Sequence, residues 1–458
     1  MKITIHSSKS VKPAYSSGNA SKDAPTATTS SIVPLTVFDE VNHNEYVTGI
    51  IAFHPPATPI TVLEAGLAKV LAEYRELAGR LVADNGRNGK NAILLNDNGA
   101  LLVEASVDVA LNSIMPLRAG SEALELHPSC RCTDEKLMLV QFTMFPCGSF
   151  VMGCSIHHSV VDGYAISAVL TALGKAIHGV AIDPTAPVHD QVSIFKPRDA
   201  LLVDFEHRGV EYIVPRMEQM TFENKSIHDD DMVVETVHLG QQFISQLQSR
   251  VSVGERWPYS AMQCVIAQLW RSITLARGLE MNEVTKIHLA VNGRGWMVDP
   301  KVPKGYNGNV VLRAWPTTTV VRELIGTPLC RTVELISREV SRIDNCYLRP
   351  FIDFARSGVV EPEGRVQTDI SSELVMRNNI EIDSELGVPL YDIDFGSGIL
   401  FLFMPTCSTP KPVEGTIFLV PTFTGDGGMV AHVPLFRRTV NRFMSCCYTL
   451  PPVAEARL

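Results

Sequence analysis

The residue types most able to do chemistry stand in one short stretch, residues 154–166, which reads CSIHHSVVDGYAI. It holds two adjacent histidines, His157 and His158, followed by Asp162 and Gly163. A neutral imidazole has an unperturbed pKa near 6.5, so it can take a proton from an amine or hydroxyl that attacks a carbonyl group. The pattern therefore predicts a general base, and such a base needs no serine or cysteine nucleophile beside it.

Two other interpretations of the histidine pair have to be weighed, a metal site and two ordinary buried histidines. Adjacent residues of a strand point to opposite faces, so His157 and His158 cannot easily hold one ion together. The stretch also lacks the HExxH arrangement, and no second cluster of His and Asp supplies the missing ligands. The sequence therefore predicts no metal site, whereas two core histidines with satisfied hydrogen bonds remain an alternative to the base.

The histidine stretch lies where a buried strand is expected to give way to a helix. The run SFVMGCSIH has the length of a strand, and the run YAISAVLTALGKAIHG after Gly163 has the length of a helix and ends at a glycine. Residues 61–80 place leucine and valine at helical spacing, which predicts an amphipathic helix. Further apolar runs separated by turn residues predict a sheet that packs against these helices.

The length of 458 residues exceeds what one hydrophobic core usually supports, so we expect two domains. Residues 183–215 carry several prolines and little periodicity, which favours a connection between two halves. After it the order of elements is similar, including a helix predicted at about Gln241–Val251. The sequence predicts an α/β or α+β protein with mixed sheets, divided into an N-terminal domain over 1–190, a crossover linker over 191–215 and a C-terminal domain over 216–458.

The overall composition limits the functional classes. An apolar fraction of 45%, a charged fraction of 19% and a net charge of -9, with basic residues scattered, weigh against disorder and against a nucleic-acid or membrane surface. The ten cysteines form no CxxC pair, which favours reduced thiols. The N-terminus lacks the apolar core of a signal peptide and no stretch has the length of a membrane span, so we expect a cytoplasmic protein.

Two separated motifs resemble the signatures of one enzyme family. HHSVVDG together with DFGSG at 394–398 resembles the HxxxD and DFGWG motifs of the BAHD acyl-CoA-dependent acyltransferases. The segments LAGRL, VNGRGW, GYNGN and GDGGMVAHVPL are similar to further family segments, so the resemblance covers nearly the whole chain. The narrower likeness, carried by MKITIHSSKSVKPAY and PFIDFARSGVVE, is to grass N-hydroxycinnamoyltransferases that acylate agmatine, tryptamine or tyramine.

This resemblance implies a fold and an activity. The fold would be two chloramphenicol-acetyltransferase-like domains with the active site in a channel at their interface. The activity would be transfer of a hydroxycinnamoyl group from its CoA thioester to an amine, which forms an amide. It implies a cytoplasmic monomer that acts on small molecules, with no resident cofactor, nucleic acid or membrane partner, and acyl-CoA as a co-substrate. An O-acyltransferase that uses an alcohol, a non-catalytic binding protein of the same fold and a condensation-type module remain alternatives.

The resemblance also implies roles for individual residues. His158 matches the general base, and Asp162 matches an aspartate that turns away from the site and pairs with an arginine, here Arg294. The second motif would shape the domain interface and the donor channel without taking part in proton transfer. The residues expected to have such structural roles are Asp162, Gly163, Arg294, Asp394, Phe395, Gly396 and Gly398.

Two departures from the family motifs bear on specificity and charge. Ser397 replaces the tryptophan of DFGWG, which removes an indole and predicts a roomier acyl or acceptor pocket. Asn292 replaces the aspartate of the family's DGR segment, which removes a carboxylate from the local charge network but leaves Arg294 available.

The remaining candidates are charged residues that suit the two substrates. Glu385 and Gly387 lie where relatives that acylate shikimate carry a tryptophan and an arginine for the acceptor's ring and carboxylate, so a carboxylate here would suit a cationic acceptor. Asp383 is a weaker candidate of the same kind. A solvated loop residue is the alternative for Glu385, since most glutamates are exposed. Arg256 and Lys304 are candidates for contacts with the phosphates of CoA.

Overall fold

The computed structural model describes residues 1–15, 31–42, 45–84, 90–117, 121–128, 136–183, 193–201, 207–214, 232–314, 319–367, 378–398, 400–406 and 412–452. The strands are β1 (Ile3–Val11), β2 (Ser31–Pro34), β3 (Tyr46–Phe53), β4 (Arg80–Asp84), β5 (Lys90–Leu95), β6 (Ala100–Val107), β7 (Met138–Met144), β8 (Phe150–His157), β9 (Tyr212–Ile213), β10 (Met232–Leu239), β11 (Val284–Thr285), β12 (Ile287–Asn292), β13 (Val311–Ala314), β14 (Thr319–Val320), β15 (Val366–Gln367), β16 (Ile380–Ser384), β17 (Leu402–Thr406), β18 (Thr416–Pro421) and β19 (Met429–Phe436). The helices are α1 (Val37–Glu40), α2 (Ile60–Glu73), α3 (Ser121–Leu124), α4 (Gly163–Ile177), α5 (Gln241–Val251), α6 (Ala261–Arg277), α7 (Val321–Gly326), α8 (Leu329–Val340), α9 (Asn345–Ala355) and α10 (Arg437–Cys447).

The chain forms two compact units. Unit 1 comprises Met1–Asp199, Val298–Val310 and Gly387–Pro410, and unit 2 comprises Ala200–Met297, Val311–Leu386 and Lys411–Leu458. The chain first passes from unit 1 to unit 2 between Asp199 and Ala200, which lies within the predicted crossover linker of 191–215. Two segments of the predicted C-terminal domain are grouped with unit 1, and one of them carries the DFGSG motif. The periodicity of a sequence indicates local structure only, so it does not predict that these two later segments belong to unit 1.

The main sheet of unit 1 is mixed and positions the histidine stretch. Its described strands follow the order β1-β6-β7-β8-β3-β17. β6 and β7 run parallel, and the other neighbouring pairs are antiparallel. β8 lies between β7 and β3, so its backbone is hydrogen-bonded on both sides. A smaller sheet has the order β2-β5-β4.

Both faces of the β8 region are covered, and all eight residues of β8 are buried. On one face Phe53 stacks against Phe150 with ring centroids 4.8 Å apart. On the other face Ile50 and Val151 belong to a separate apolar cluster. A strand buried on both faces reads as a continuous apolar run, which explains why SFVMGCSIH shows no alternation.

Unit 2 is built on a second mixed sheet, with its described strands in the order β10-β19-β18-β16-β12-β13. β16 runs parallel to both β12 and β18. Within this unit the fully buried Trp270 of α6 donates from Nε1 to Thr285 Oγ1 at 2.9 Å. A mixed sheet with helices in each unit confirms the predicted fold class.

Candidate active site

The loop between β8 and α4 holds His158 and is fixed at its far end by Asp162. Asp162 is the N-cap of α4, and its Oδ1 accepts a hydrogen bond from the Ala165 N–H at 3.0 Å. Its Oδ2 accepts from the Val310 N–H at 3.0 Å, so the buried carboxylate also ties the Val298–Val310 segment to this loop. Side-chain capping of the first N–H groups is the ordinary reason for an aspartate at a helix start. Asp162 thus caps the helix and ties two segments of unit 1 together, and its predicted pairing with Arg294 stays a prediction.

The first histidine of the pair is buried in the sheet. His157 is 9% exposed, and its ring meets the Tyr46 ring edge-on at 5.2 Å. Its Nδ1 accepts a hydrogen bond from the Ser159 N–H at 3.3 Å. Burial lowers the pKa of His157 to about 4. His157 is therefore neutral near pH 7 and fits the alternative of a satisfied core histidine.

The second histidine lies in the loop and is only half-buried. The His158 N–H donates to the Glu45 carbonyl at 2.8 Å, which anchors its backbone. The His158 Nδ1 lies 3.2 Å from Oδ1 of Asn309, a side chain with no solvent exposure. Of the two histidines, His158 has the environment expected of a base that meets a substrate.

A buried carboxylate stands behind Asn309. Asp39, at 5% exposure, accepts at Oδ1 from the Asn309 side chain at 2.8 Å and from the Asn309 N–H at 3.0 Å. Its Oδ2 accepts from the Thr36 N–H and hydroxyl at 2.9 and 2.7 Å, within a capping box at the start of α1. Burial raises the pKa of Asp39, and the hydrogen bonds from Asn309 and Thr36 oppose this shift.

Sequence reasoning missed both Asp39 and Asn309. The TVFD pattern over 36–39 resembles a capping box, and Asn309 lies in the GYNGN segment that carried part of the family resemblance. Neither signal indicates that Asn309 contacts His158 or that Asp39 binds Asn309.

The second motif packs against the other end of α4. The Asp394 side chain accepts from the Gly396 and Gly398 N–H groups at 2.8 and 3.0 Å. Both glycines have positive φ, +95° and +83°, which explains why the turn uses glycine. The Asp394 carbonyl lies so near Gly174 that a Cβ there would come within 2.5 Å of it.

The geometry of α4 separates the second motif from the histidine loop. Gly174 lies twelve residues after Asp162, about 18 Å along a helix at 1.5 Å per residue. The buried Phe395 ring stacks on Phe53 at 4.8 Å, and the Ser397 hydroxyl donates to the Pro56 carbonyl. The structure thus places Ser397, a predicted acceptor-site residue, in this loop and does not bring it to His158.

Unit 2 holds four of the predicted site residues, Arg294, Asp383, Glu385 and Arg256, together with Asn292. Asn292 Oδ1 accepts from the Arg294 N–H at 3.0 Å and from Nη1 at 3.3 Å, so Asn292 keeps a local role in orienting the arginine. Asp383 lies in β16, and the half-buried Glu385 follows it, with its N–H donating to the Leu419 carbonyl at 2.8 Å. The exposed Arg256 guanidinium lies 6.0 Å from the centroid of the Trp257 ring. The substrate contacts of these residues, and the Asp162–Arg294 pair, stay predictions.

Lys304 lies in unit 1 and is exposed. The Lys175 ammonium donates to Asp183 Oδ2 at 2.6 Å, and Lys175 first and Lys304 to a lesser degree lower the pKa of Asp183. Its contact with CoA stays a prediction.

Within the described part of the chain, no three His, Cys, Asp or Glu side chains are grouped closely enough to hold a metal ion. Among the helices described here, none has the length and apolar character needed to cross a membrane.

The whole chain has known relatives. A family model described as the transferase family matches residues 1–450. The chain is 50% identical over 450 residues to agmatine coumaroyltransferase-1 of Hordeum vulgare, covering 98% of this chain and 100% of that protein. It is 48% identical over 462 residues to agmatine hydroxycinnamoyltransferase 1 of Oryza sativa subsp. japonica, covering 99% and 100%. The solved structure of vinorine synthase has the same fold, with a TM-score of 0.69, 16% identity and 99% coverage of both chains. The chain therefore belongs to this transferase family, the BAHD acyl-CoA-dependent acyltransferases.

Proposed function

We propose that this protein transfers a hydroxycinnamoyl group from its CoA thioester to an amine, with agmatine as the first acceptor to test. The observation that carries the proposal is identity of about half the residues, over nearly the full length of each chain, with two agmatine acyltransferases from grasses. The half-buried His158, in a loop fixed at both ends, supports a base-assisted reaction.

In the proposed reaction His158 Nε2 accepts a proton from the amine nitrogen as that nitrogen attacks the thioester carbonyl. The tetrahedral intermediate then collapses, the C–S bond breaks, and the imidazolium returns the proton to the CoA thiolate. The new C–N bond is an amide, and no acyl-enzyme forms. A well-placed general base contributes roughly 10²–10⁴-fold to such a reaction.

The acceptor must lose a proton before it can attack. An alkylammonium titrates near the lysine pKa of about 10.4, so an amine arrives mostly charged at neutral pH. A carboxylate near the acceptor would hold that cation, or the guanidinium at the other end of agmatine, by charge complementarity. Glu385 is our first candidate and Asp383 the second.

The donor would bind through charge-assisted contacts between its phosphates and Arg256 or Lys304. We infer that acyl-CoA is a co-substrate. We also infer that the enzyme uses no resident cofactor, because acyl transfer from a thioester to an amine involves no redox step and the proton transfers can be made by His158. The mildly acidic composition without a basic stripe supports a cytosolic enzyme of small molecules, and we expect it to act as a monomer.

The test is a panel of acceptors with coumaroyl-CoA and feruloyl-CoA, with products identified by mass spectrometry. We expect amides of agmatine, tryptamine or tyramine. Esters of alcohols in place of amides would favour the O-acyltransferase, and free CoA release without any conjugate would contradict both.

The same panel tests the base. His158→Gln should reduce kcat by at least about 100-fold while the folded state persists by circular dichroism. His157→Gln is the matched control, because it alters the adjacent ring but not the proposed base, and it should retain far more activity. A fully active His158→Gln enzyme would refute the mechanism.

A further inference from the structure

We propose that Asp39 and Asn309 are positioning residues that fix the tautomer of His158, with the proton on Nδ1 and the lone pair on Nε2. The inference rests on the proposed function, because it explains how His158 is prepared to act as a base. Asn309 holds the ring, and Asp39 holds Asn309. These two residues lie 151 and 119 positions away from His158 in the sequence, yet in the same unit.

The orientation of the Asn309 amide carries the argument. One end of that amide faces two oxygens, Asp39 Oδ1 at 2.8 Å and the His158 carbonyl at 2.8 Å. A carbonyl oxygen can only accept a hydrogen bond, so the end of the amide that faces it must be the NH₂ group. A flipped amide would place its own oxygen against the His158 carbonyl. Both N–H bonds are therefore used, and the amide oxygen is the atom that faces the imidazole.

The tautomer of His158 follows from that orientation. The Asn309 oxygen lies 3.2 Å from His158 Nδ1 and has no proton to donate. A favourable contact at this distance requires the proton on Nδ1. In the neutral ring the lone pair then belongs to Nε2, the nitrogen that would accept the proton of the amine.

Asp39 fixes the position and polarises the amide. Four donors converge on its carboxylate, two from Asn309 and two from Thr36. The carboxylate has no remaining freedom to turn, and so it fixes Asn309 by both backbone and side chain. A carboxylate at the NH₂ end increases the negative charge on the amide oxygen through the hydrogen-bond chain. The imidazolium that forms when Nε2 takes a proton is thereby stabilised through Nδ1–H.

The tautomer can be measured without substrate, by ¹⁵N NMR of the full chain labelled with ring-¹⁵N histidine. Of the 13 histidines, His158 is assigned by the signal lost in His158→Gln. At a pH high enough for the His158 ring to be neutral, we expect the ¹⁵N signal of a protonated nitrogen for Nδ1 and that of an unprotonated nitrogen for Nε2. The reverse pattern would overturn the proposal. This readout does not depend on the substrate, so a failed acceptor assay leaves it standing.

Two variants test the chain of hydrogen bonds. Asn309→Ala should give mixed tautomers and reduce kcat by about 100-fold, with the KM values of both substrates close to those of the wild type. Asp39→Asn keeps the volume but removes the charge, and its NH₂ group faces two of the four donors. It should therefore reduce kcat by at least about tenfold, the difference between a charge-assisted and a neutral hydrogen bond. If Asn309→Ala does not fold, the tautomer and kcat of Asp39→Asn alone test the proposal. Wild-type kcat in a folded Asp39→Asn or Asn309→Ala enzyme would overturn the proposal.

Asn307→Ala is the matched control. Asn307 is similarly buried, at 2% exposure, and lies two residues before Asn309 on the same segment. Loss of its side chain should leave the His158 tautomer and kcat as in the wild type. If Asn307→Ala disturbs the tautomer as much as Asn309→Ala does, the effect belongs to folding of the segment and the proposal fails.

Discussion

Two adjacent histidines of this protein have different environments because of what lies around each ring. His157 is enclosed by the sheet, and burial lowers its pKa to about 4. His158, one residue later, is half-buried and contacts a buried amide that is itself held by a carboxylate. The residue type shows that either histidine could act as a base, and the groups around each ring decide that His158 is the better candidate.

The acceptor site gives a prediction for one residue. Glu385→Gln should raise the KM for agmatine about tenfold, because a charge-assisted contact with its guanidinium is replaced by a neutral one. The kcat and the KM for acyl-CoA should stay close to those of the wild type. Tryptamine, which has no guanidinium, is the internal control in steady-state kinetics. Equal KM values for agmatine in both enzymes would contradict this assignment.

At the scale of elements, α4 joins the two motifs found in the sequence. Asp162 caps its first turn and contacts Val310, and Gly174 in its last turn receives the Asp394 carbonyl. The helix thus holds the histidine loop at one end and the glycine turn at the other. This arrangement gives the second motif a structural role at a distance from the proposed base.

The N-terminal end of α4 can be tested with a conservative substitution. In Asp162→Asn the cap oxygen can remain, but an NH₂ group faces the buried Val310 N–H. An unsatisfied buried donor costs about 1–3 kcal/mol, so the midpoint of urea unfolding should fall, and kcat should fall as the histidine loop loses its attachment. Asp344→Asn at the start of α9 is the control, because both of its contacts, with the Cys346 and Tyr347 N–H groups, use one oxygen. Similar losses in both variants would contradict the special role of Asp162.

The C-terminal end of α4 is tested with glycine substitutions. Gly174→Ala would place a Cβ 2.5 Å from the Asp394 carbonyl, and overpacking of this kind costs about 1–3 kcal/mol despite the better helix propensity of alanine. A lower melting temperature with nearly unchanged kcat at a permissive temperature is expected from calorimetry and kinetics. Gly326→Ala in α7 is the control, since a Cβ there meets nothing within 4 Å. If Gly174→Ala is as stable as Gly326→Ala, the close packing is refuted.

Local elements were largely predictable from the sequence, and their long-range partners were not. The helix predicted at Gln241–Val251 is α5 with the same bounds, and the strand–loop–helix around His158 is confirmed. Helical spacing, apolar runs and terminal glycines depend on neighbours in sequence, so they can be read locally. The contact between His158 and Asn309 depends on the packing of segments 151 residues apart, which no local pattern encodes.

At the scale of the whole molecule, burial of ionisable groups makes stability depend on pH. Burial raises the pKa of Glu76 in unit 1 to about 7 from an ordinary value of 4.5. The folded state therefore keeps a proton that the unfolded chain loses as the pH rises above 4.5. The contribution of Glu76 to stability is full below that pH and is lost as the pH rises through about 7.

Glu76→Gln tests this linkage. Between pH 4.5 and about 7 the unfolding free energy of the wild type should fall relative to that of the variant, by up to about 1.4 kcal/mol per pH unit. Urea unfolding of both proteins across this range gives the difference directly. If the unfolding free energies of the wild type and Glu76→Gln change in parallel with pH, Glu76 does not retain its proton in the folded state.

The assembly of unit 1 from three separate segments has a consequence for synthesis on the ribosome. The β3 edge that β17 covers is already made when residue 199 emerges, but β17 ends at Thr406, about 200 residues later. At roughly 5–20 residues per second, the nascent chain carries that open edge for about 10–40 s. An uncovered strand edge is a template for pairing with other chains. We therefore expect newly made chains to depend on chaperones during this interval, and premature release before residue 406 to yield aggregates.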